Sequence, residues 1–181
     1  NMLLWTPFVT EEHLPLFEKL KAIGYDGVEI PLFSGDPPHY AKVARALSGL
    51  GLACTAVTVI PDEARNPISP DQSDRDRAAA YLNWAVECAA ELHAEVLCGP
   101  YYQPLGLFSG QGPTEEEKQR AAEVHWDMAA FAQESGVLLT IEALNRFECY
   151  FLNTLRDVAD YVTRVNHPNL KAMYDTFHGN I

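Results

Sequence analysis

Leu138-Leu-Thr-Ile-Glu-Ala-Leu-Asn-Arg-Phe-Glu148 and Leu170-Lys-Ala-Met-Tyr-Asp-Thr-Phe-His178 are two short apolar runs that each lead into polar chemistry. The first run ends on Glu142 and the second on Asp175, and Glu148 and His178 follow within a few residues. Residues 153–165 between them read as a helix, so the stretch has the order strand, helix, strand expected of a parallel β/α unit. In such sheets the residues leaving the C-terminal ends of strands point into the active site. The stretch therefore predicts two carboxylates and a histidine converging on one spot.

Outward from this stretch the same alternation repeats. Residues 2–5, Gly27–Pro31, 52–60 and 95–98 read as further strands, with Glu29 in the middle of the second. Thr10 caps a helix that carries Glu11 and Glu12 in its first turn, where acidic side chains favour the helix dipole. Leu14, Phe17, Leu20 and Ile23 give that helix an apolar stripe, and Gly24 ends it. Asp36-Pro-Pro opens a second helix running to Gly49. Ser73 or Asp74 caps a third over 75–92, and Thr114 with Glu117 forms a capping box for a fourth over 115–135.

Loops before strands are short, whereas loops after strands are long and chemically rich. That asymmetry is the mark of a (β/α)8 TIM barrel, which carries its function on the loops after its strands. A doubly wound dinucleotide-binding sheet would place Gly-x-Gly-x-x-Gly after the first strand, where this chain has Trp5-Thr-Pro-Phe8. Six strands are readable, and a barrel has eight in about 250 residues. The expectation is a single TIM-barrel domain over residues 1–181 holding the first six β/α strands, with an open six-stranded sheet as the alternative. Asn1 already lies in an apolar run, so a few residues are expected to precede it.

The 13 basic and 25 acidic residues give a net charge of −12, which argues against nucleic acid or an anionic membrane as partner. Hydrophobic residues make up 48% of the chain, enough for a sizeable core. No apolar run approaches the roughly 18 residues of a membrane helix, and no signal peptide is visible. Cys54, Cys88, Cys98 and Cys149 include no Cys-x-x-Cys pair, so reduced thiols in a cytoplasmic protein are expected.

A carboxylate at the end of a buried strand is unfavourable unless it is paired, hydrogen-bonded or metal-bound. For Glu142 an ion pair with Arg146 is one solution. A second strand-end carboxylate, Asp175, with His178 three residues on, favours a divalent cation instead. Oxygen ligands suit Mn²⁺ or Mg²⁺, and a histidine ligand shifts the choice towards Mn²⁺ or Co²⁺. Two carboxylates do not fill such a coordination shell, so further ligands are expected from strands beyond Ile181. Glu148 and Arg146 read either as site residues or as a solvated loop. His13, His93 and His125 read as structural or surface residues, His39 has no evident partner, and His167 lies in a helix-to-strand loop away from the site. Tyr101, Tyr102, Trp5 and Phe8 read as apolar walls for a small substrate or as ordinary loop packing.

Ile141-Glu-Ala-Leu-Asn-Arg-Phe-Glu-Cys-Tyr-Phe-Leu-Asn-Thr154 and His167-Pro-Asn-Leu-Lys-Ala-Met-Tyr-Asp-Thr-Phe-His-Gly-Asn-Ile181 resemble two consecutive strand motifs of the ketose 3-epimerases. These are the D-tagatose and D-psicose 3-epimerases, within the xylose-isomerase-like sugar isomerase and epimerase barrels. Gly99-Pro-Tyr-Tyr-Gln-Pro-Leu-Gly106 and the first strand and helix resemble the family more weakly. The resemblance implies that Glu142 is a metal ligand and one of two catalytic glutamates, that Asp175 is a metal ligand, and that Glu148 and His178 bind the sugar near its C1 and C2 oxygens. It assigns the remaining ligands, a His and the second catalytic Glu, and a substrate-binding Arg to strands beyond Ile181.

The implied reaction is proton abstraction at C3 of a free ketose. The divalent metal, Mn²⁺ first with Mg²⁺ or Co²⁺ as alternatives, polarises O2 and O3 and stabilises a cis-enediolate. One glutamate removes the proton and the other returns it on the opposite face. Such a protein is a cytoplasmic isomerase of carbohydrate metabolism that takes a small sugar, and a homo-oligomer is compatible with it. A cyclitol or keto-sugar dehydratase or lyase, or a non-catalytic sugar-binding barrel, are the competing functions. A nuclease of related fold would need more histidine ligands and a basic surface.

Overall fold

The computed structural model describes residues 1–180. Gly27–Pro31 (β1), Ala53–Val57 (β2), Val96–Gly99 (β3), Leu138–Glu142 (β4) and Leu170–Met173 (β5) form one sheet, paired in chain order and parallel throughout. Parallel neighbours need crossover connections. Pro37–Gly49 (α2), Gln72–Glu91 (α3), Glu115–Glu134 (α4) and Leu155–Val165 (α5) supply them, and Leu14–Ile23 (α1) precedes β1.

Period-two alternation divides the sheet into two faces. Ile30, Ala56, Leu97, Leu139, Ile141 and Leu170 join Leu47 of α2, Leu82 of α3, Met128 of α4 and Val158 of α5 in one hydrophobic core. The opposite face carries Glu29, Thr55, Cys98, Thr140, Glu142 and Lys171. Glu29 is in register with Thr55, and Thr140 lies between Cys98 and Lys171. In a TIM barrel one face of the sheet packs under the helices and the other lines the interior, so the polar residues here fall on the face a barrel encloses.

Among the described residues there are five strands where the sequence suggests six. Residues 2–5 are not a strand: Met2–Leu4 is a 3-10 turn. The Asn1 side chain accepts from Leu3 N at 2.8 Å, and Met2 O accepts from Trp5 N at 2.9 Å and Thr6 N at 3.0 Å. Those amides are satisfied locally and are not available to a ladder. In α1, Phe17 and Leu20 are buried but Ile23 is 73% exposed, beyond the reach of the core. Helix α3 starts one turn earlier than the sequence suggests, because Asp71 Oδ1 takes Ser73 N at 2.8 Å and so provides the cap. The Thr114–Glu117 capping box forms as expected, and Thr154 with Asp157 makes another at the start of α5. None of the helices among the described residues is long and apolar enough to cross a membrane.

At the end of β3 the chain passes against the loop that follows β2. Gly99 has φ +137°, and a Cβ there would lie 2.1 Å from Thr58 O. Thr58 is held in place: its N–H donates to Cys98 O at 3.0 Å and its hydroxyl to Leu32 O at 2.8 Å.

His125 on α4 is fully buried. Its Nε2 donates to Tyr101 O at 3.1 Å, so Nδ1 accepts from the Tyr161 hydroxyl at 2.6 Å. The Tyr101 hydroxyl continues the chain to Thr140 O at 3.0 Å. Burial lowers the His125 pKa from 6.5 to about 4. A depressed histidine contributes stability above its unfolded pKa, and this is lost as pH falls towards the folded one. The destabilisation caused by His125→Gln is therefore expected to shrink between pH 6.5 and about 4, by up to about 1.4 kcal/mol per pH unit. Urea unfolding of both proteins across that range checks this, and a pH-independent difference would disprove it.

Candidate active site

Glu142 is the last residue of β4 and is only 8% exposed. Asp175 follows the end of β5 by two residues. Its Oδ1 accepts from Phe177 N at 2.6 Å, which fixes the turn leading into the 3-10 segment His178–Asn180. That turn brings His178 back over β4. Glu142, Asp175 and His178 each offer a ligand atom, and these atoms all lie within 4.8 Å of one another. His178 Nε2 is 3.7 Å from Glu142 Oε1, and His178 Nδ1 is 3.9 Å from Glu148 Oε1. Glu142, Asp175 and His178 thus come together, with Glu148 on the far side of the imidazole and partly open to solvent.

Burial, then the adjacent Asp175 carboxylate, then Glu29 and Glu148 push the Glu142 pKa up from 4.5 to about 8. Arg146 does not relieve this. Its guanidinium lies 4.6 Å over the Phe147 ring, and no lysine or arginine among the described residues pairs with Glu142. A buried carboxylate beside a second one, with no cationic side chain on either, is a donor set that fits a divalent cation of the oxygen-preferring class.

Two contributors were passed over in the sequence. Asn145 is buried and bonded to both Glu148 and His178. Glu29 on β1 accepts from Asn1 Nδ2 at 2.6 Å, Cys98 Sγ at 3.1 Å and Thr55 Oγ1 at 3.3 Å. The signal for Glu29 is a carboxylate in mid-strand, where a barrel interior is otherwise dominated by apolar side chains. For Asn145 the available signal was the Asn-x-x-Glu spacing inside the loop after β4.

Tyr101 and Tyr102 are not site walls. Both are fully buried, and the Tyr102 hydroxyl donates to Leu152 O at 3.3 Å. Gln103 Oε1 accepts from Tyr150 N at 3.2 Å and Phe151 N at 3.0 Å, pinning the loop after β3 to the loop after β4. Trp5 is half exposed. Phe8 stacks on His39 at 4.6 Å, and His39 Nε2 bonds Val9 O at 2.8 Å, a partner that its sequence neighbours do not reveal. His167 accepts from Asn169 N at 3.2 Å in the turn before β5. All four cysteines are free and buried, and burial raises Cys54 and Cys88 to about 12.

A sequence profile of the xylose isomerase-like TIM barrel family matches residues 17–181. The chain is 30% identical over 170 residues to the D-psicose 3-epimerase of Ruminiclostridium cellulolyticum, covering 91% of this chain and 57% of that protein. It is 31% identical over 180 residues to the ketose 3-epimerase of Arthrobacter globiformis, covering 99% of this chain and 62% of that one. A solved D-psicose 3-epimerase with D-tagatose, from Clostridium cellulolyticum, superposes with a TM-score of 0.86 at 28% identity, covering 98% of this chain and 62% of its own. The chain therefore spans about three fifths of the length of the relatives it matches. With five parallel strands in chain order among the described residues and a profile match over residues 17–181, this chain belongs to the xylose isomerase-like TIM barrel family.

Proposed function

We propose that the protein is a metal-dependent ketose 3-epimerase, and that residues 1–181 belong to one barrel domain. The observation that carries this reading is the buried Glu142 carboxylate at the end of β4, beside Asp175 and, among the described residues, with no lysine or arginine paired to it. Such a group is poised both to hold a divalent cation and to exchange a proton near neutral pH.

In this reading Glu142 and Asp175 hold the cation, with Mn²⁺ preferred. A bound cation would supply Lewis-acid stabilisation of the negative charge that develops on the sugar oxygens, and would hold Glu142 deprotonated. The Glu142 carboxylate removes the proton at C3, which the neighbouring C2 carbonyl acidifies. Glu148 accepts hydrogen bonds from sugar hydroxyls near C1, and the imidazole of His178 donates to an oxygen near C2. Return of the proton to the opposite face of C3 requires a second acid/base group. A cytoplasmic location and a homo-oligomer go with this reading.

The test is to incubate the full-length protein with Mn²⁺ and a panel of ketoses in D₂O. Deuterium at C3 together with the C3 epimer is the expected result, read by proton NMR. Loss of water from the sugar, or no exchange with any ketose, would sink the assignment.

A further inference from the structure

We infer that Asn145 is a positioning residue that holds His178 in the tautomer protonated on Nε2, making the imidazole a hydrogen-bond donor to the substrate and not a metal ligand. The consequence for substrate rests on the epimerase reading; the tautomer itself rests on hydrogen bonding alone.

Asn145 is 4% exposed and lies three residues beyond Glu142. Its Oδ1 accepts from Phe147 N at 3.0 Å. A backbone N–H can only donate, so the orientation of the amide is settled and Nδ2 points the other way. There Nδ2 donates to Glu148 Oε1 at 2.6 Å and to His178 Nδ1 at 3.0 Å. The Asn145 backbone N–H adds a second donor to the same ring nitrogen at 3.2 Å. His178 Nδ1 therefore faces two donors, neither of which can accept. A proton on Nδ1 would oppose both, so the neutral ring carries its proton on Nε2.

Nε2 is the nitrogen that faces Glu142 Oε1, at 3.7 Å. A protonated ring nitrogen has no lone pair in the ring plane for a metal. Ligation through Nε2 would move the proton to Nδ1, breaking the bond from the Asn145 backbone and confronting Nδ2. The three clustered side chains therefore divide into two carboxylate ligands and one N–H donor. Asn145 also sets the spacing of the pair that grips the sugar: His178 Nδ1 and Glu148 Oε1 are 3.9 Å apart, too far to bond directly, and Nδ2 bridges them.

Long-range ¹H–¹⁵N correlation on the full-length protein labelled with ¹⁵N-histidine, at a pH where the ring is neutral, reads the tautomer directly. A pyridine-like Nδ1 and a protonated Nε2 are expected, unchanged on saturation with diamagnetic Mg²⁺. Asn145→Asp keeps the acceptor for Phe147 N but replaces the Nδ2 donor with an acceptor. It is expected to draw a proton onto Nδ1 and to lower kcat/KM about a hundredfold. A proton on Nδ1 in the wild type, or loss of the Nε2 proton when Mg²⁺ binds, overturns the inference. If Asn145→Asp fails to fold, the two wild-type spectra still decide. An Nε2–H tautomer in a protein that epimerises no ketose would uphold Asn145 while removing the proposed function.

Discussion

Glu142→Gln is expected to lower kcat by at least about a thousandfold and to abolish tight divalent-cation binding. The amide keeps the volume of the side chain and one oxygen, but it has neither the charge that holds a cation nor the basicity to take a proton, and general base catalysis alone accounts for about 10²- to 10⁴-fold. The same substitution has a sign-defined effect on stability. In the metal-free protein the Glu142 pKa is raised from 4.5 to about 8, so between those values the folded chain binds a proton that the unfolded chain does not. The stability this group contributes is fully present below 4.5 and is lost as pH rises to about 8. The slope reaches about 1.4 kcal/mol per pH unit. Glu142→Gln removes it, so the metal-free variant gains on the wild type as pH rises through the window. For the same reason cation binding at neutral pH should expel a proton from the wild type, seen by calorimetry in two buffers of different ionisation enthalpy. Retention of both turnover and cation binding by Glu142→Gln would remove the central assignment.

Gly99→Ala is expected to destabilise the fold by about 4 kcal/mol or to prevent folding altogether. The added Cβ would meet Thr58 O at 2.1 Å, and the φ of +137° is one that side-chain-bearing residues rarely adopt. Thr58 has nowhere to retreat, since its N–H is bonded to Cys98 O and its hydroxyl lies 3.0 Å from that of Tyr81 as well as bonding Leu32 O. Gly106→Ala is the control. It also has positive φ, +76°, but nothing lies within 4 Å of its Cβ position, so only backbone strain of about 1 kcal/mol applies. Thermal melts that place both variants equally close to the wild type would disprove the steric argument.

The parts of this fold that were legible in the sequence are those whose physics is local. The Thr114–Glu117 box, the Gly24 stop and the apolar run Leu138–Glu142 each depend on residues a few positions apart, and each forms as read. Glu142 and Asp175 stood out because a carboxylate at the end of an apolar run is locally anomalous. Residues 2–5 misled because four apolar residues fit a strand as well as a turn, and what decides between them is the cap offered by Asn1. Asn145 and Glu29 carried only weak local signals and His39 none, for another reason. Their meaning comes from partners 33, 69 and 30 positions away, at His178, Cys98 and Val9, and no local pattern encodes such distances. Tyr101 and Tyr102 look like pocket residues in a loop after a strand. The fold instead buries them under the loop after β4, where their hydroxyls satisfy backbone carbonyls.

The order of strands in the sheet is also their order of synthesis. Each strand leaving the ribosome finds its neighbour already made and needs to displace nothing to pair with it. Domains assemble from the N-terminus during translation, and short sequence separations between partners speed that assembly. Glu142 arrives with β4 and Asp175 just after β5, so the first four strands associate without bringing these two carboxylates together. Their mutual repulsion is met only when β5 docks. A cation held between them would therefore act only once β5 has docked, leaving the pairing of the strands before it untouched.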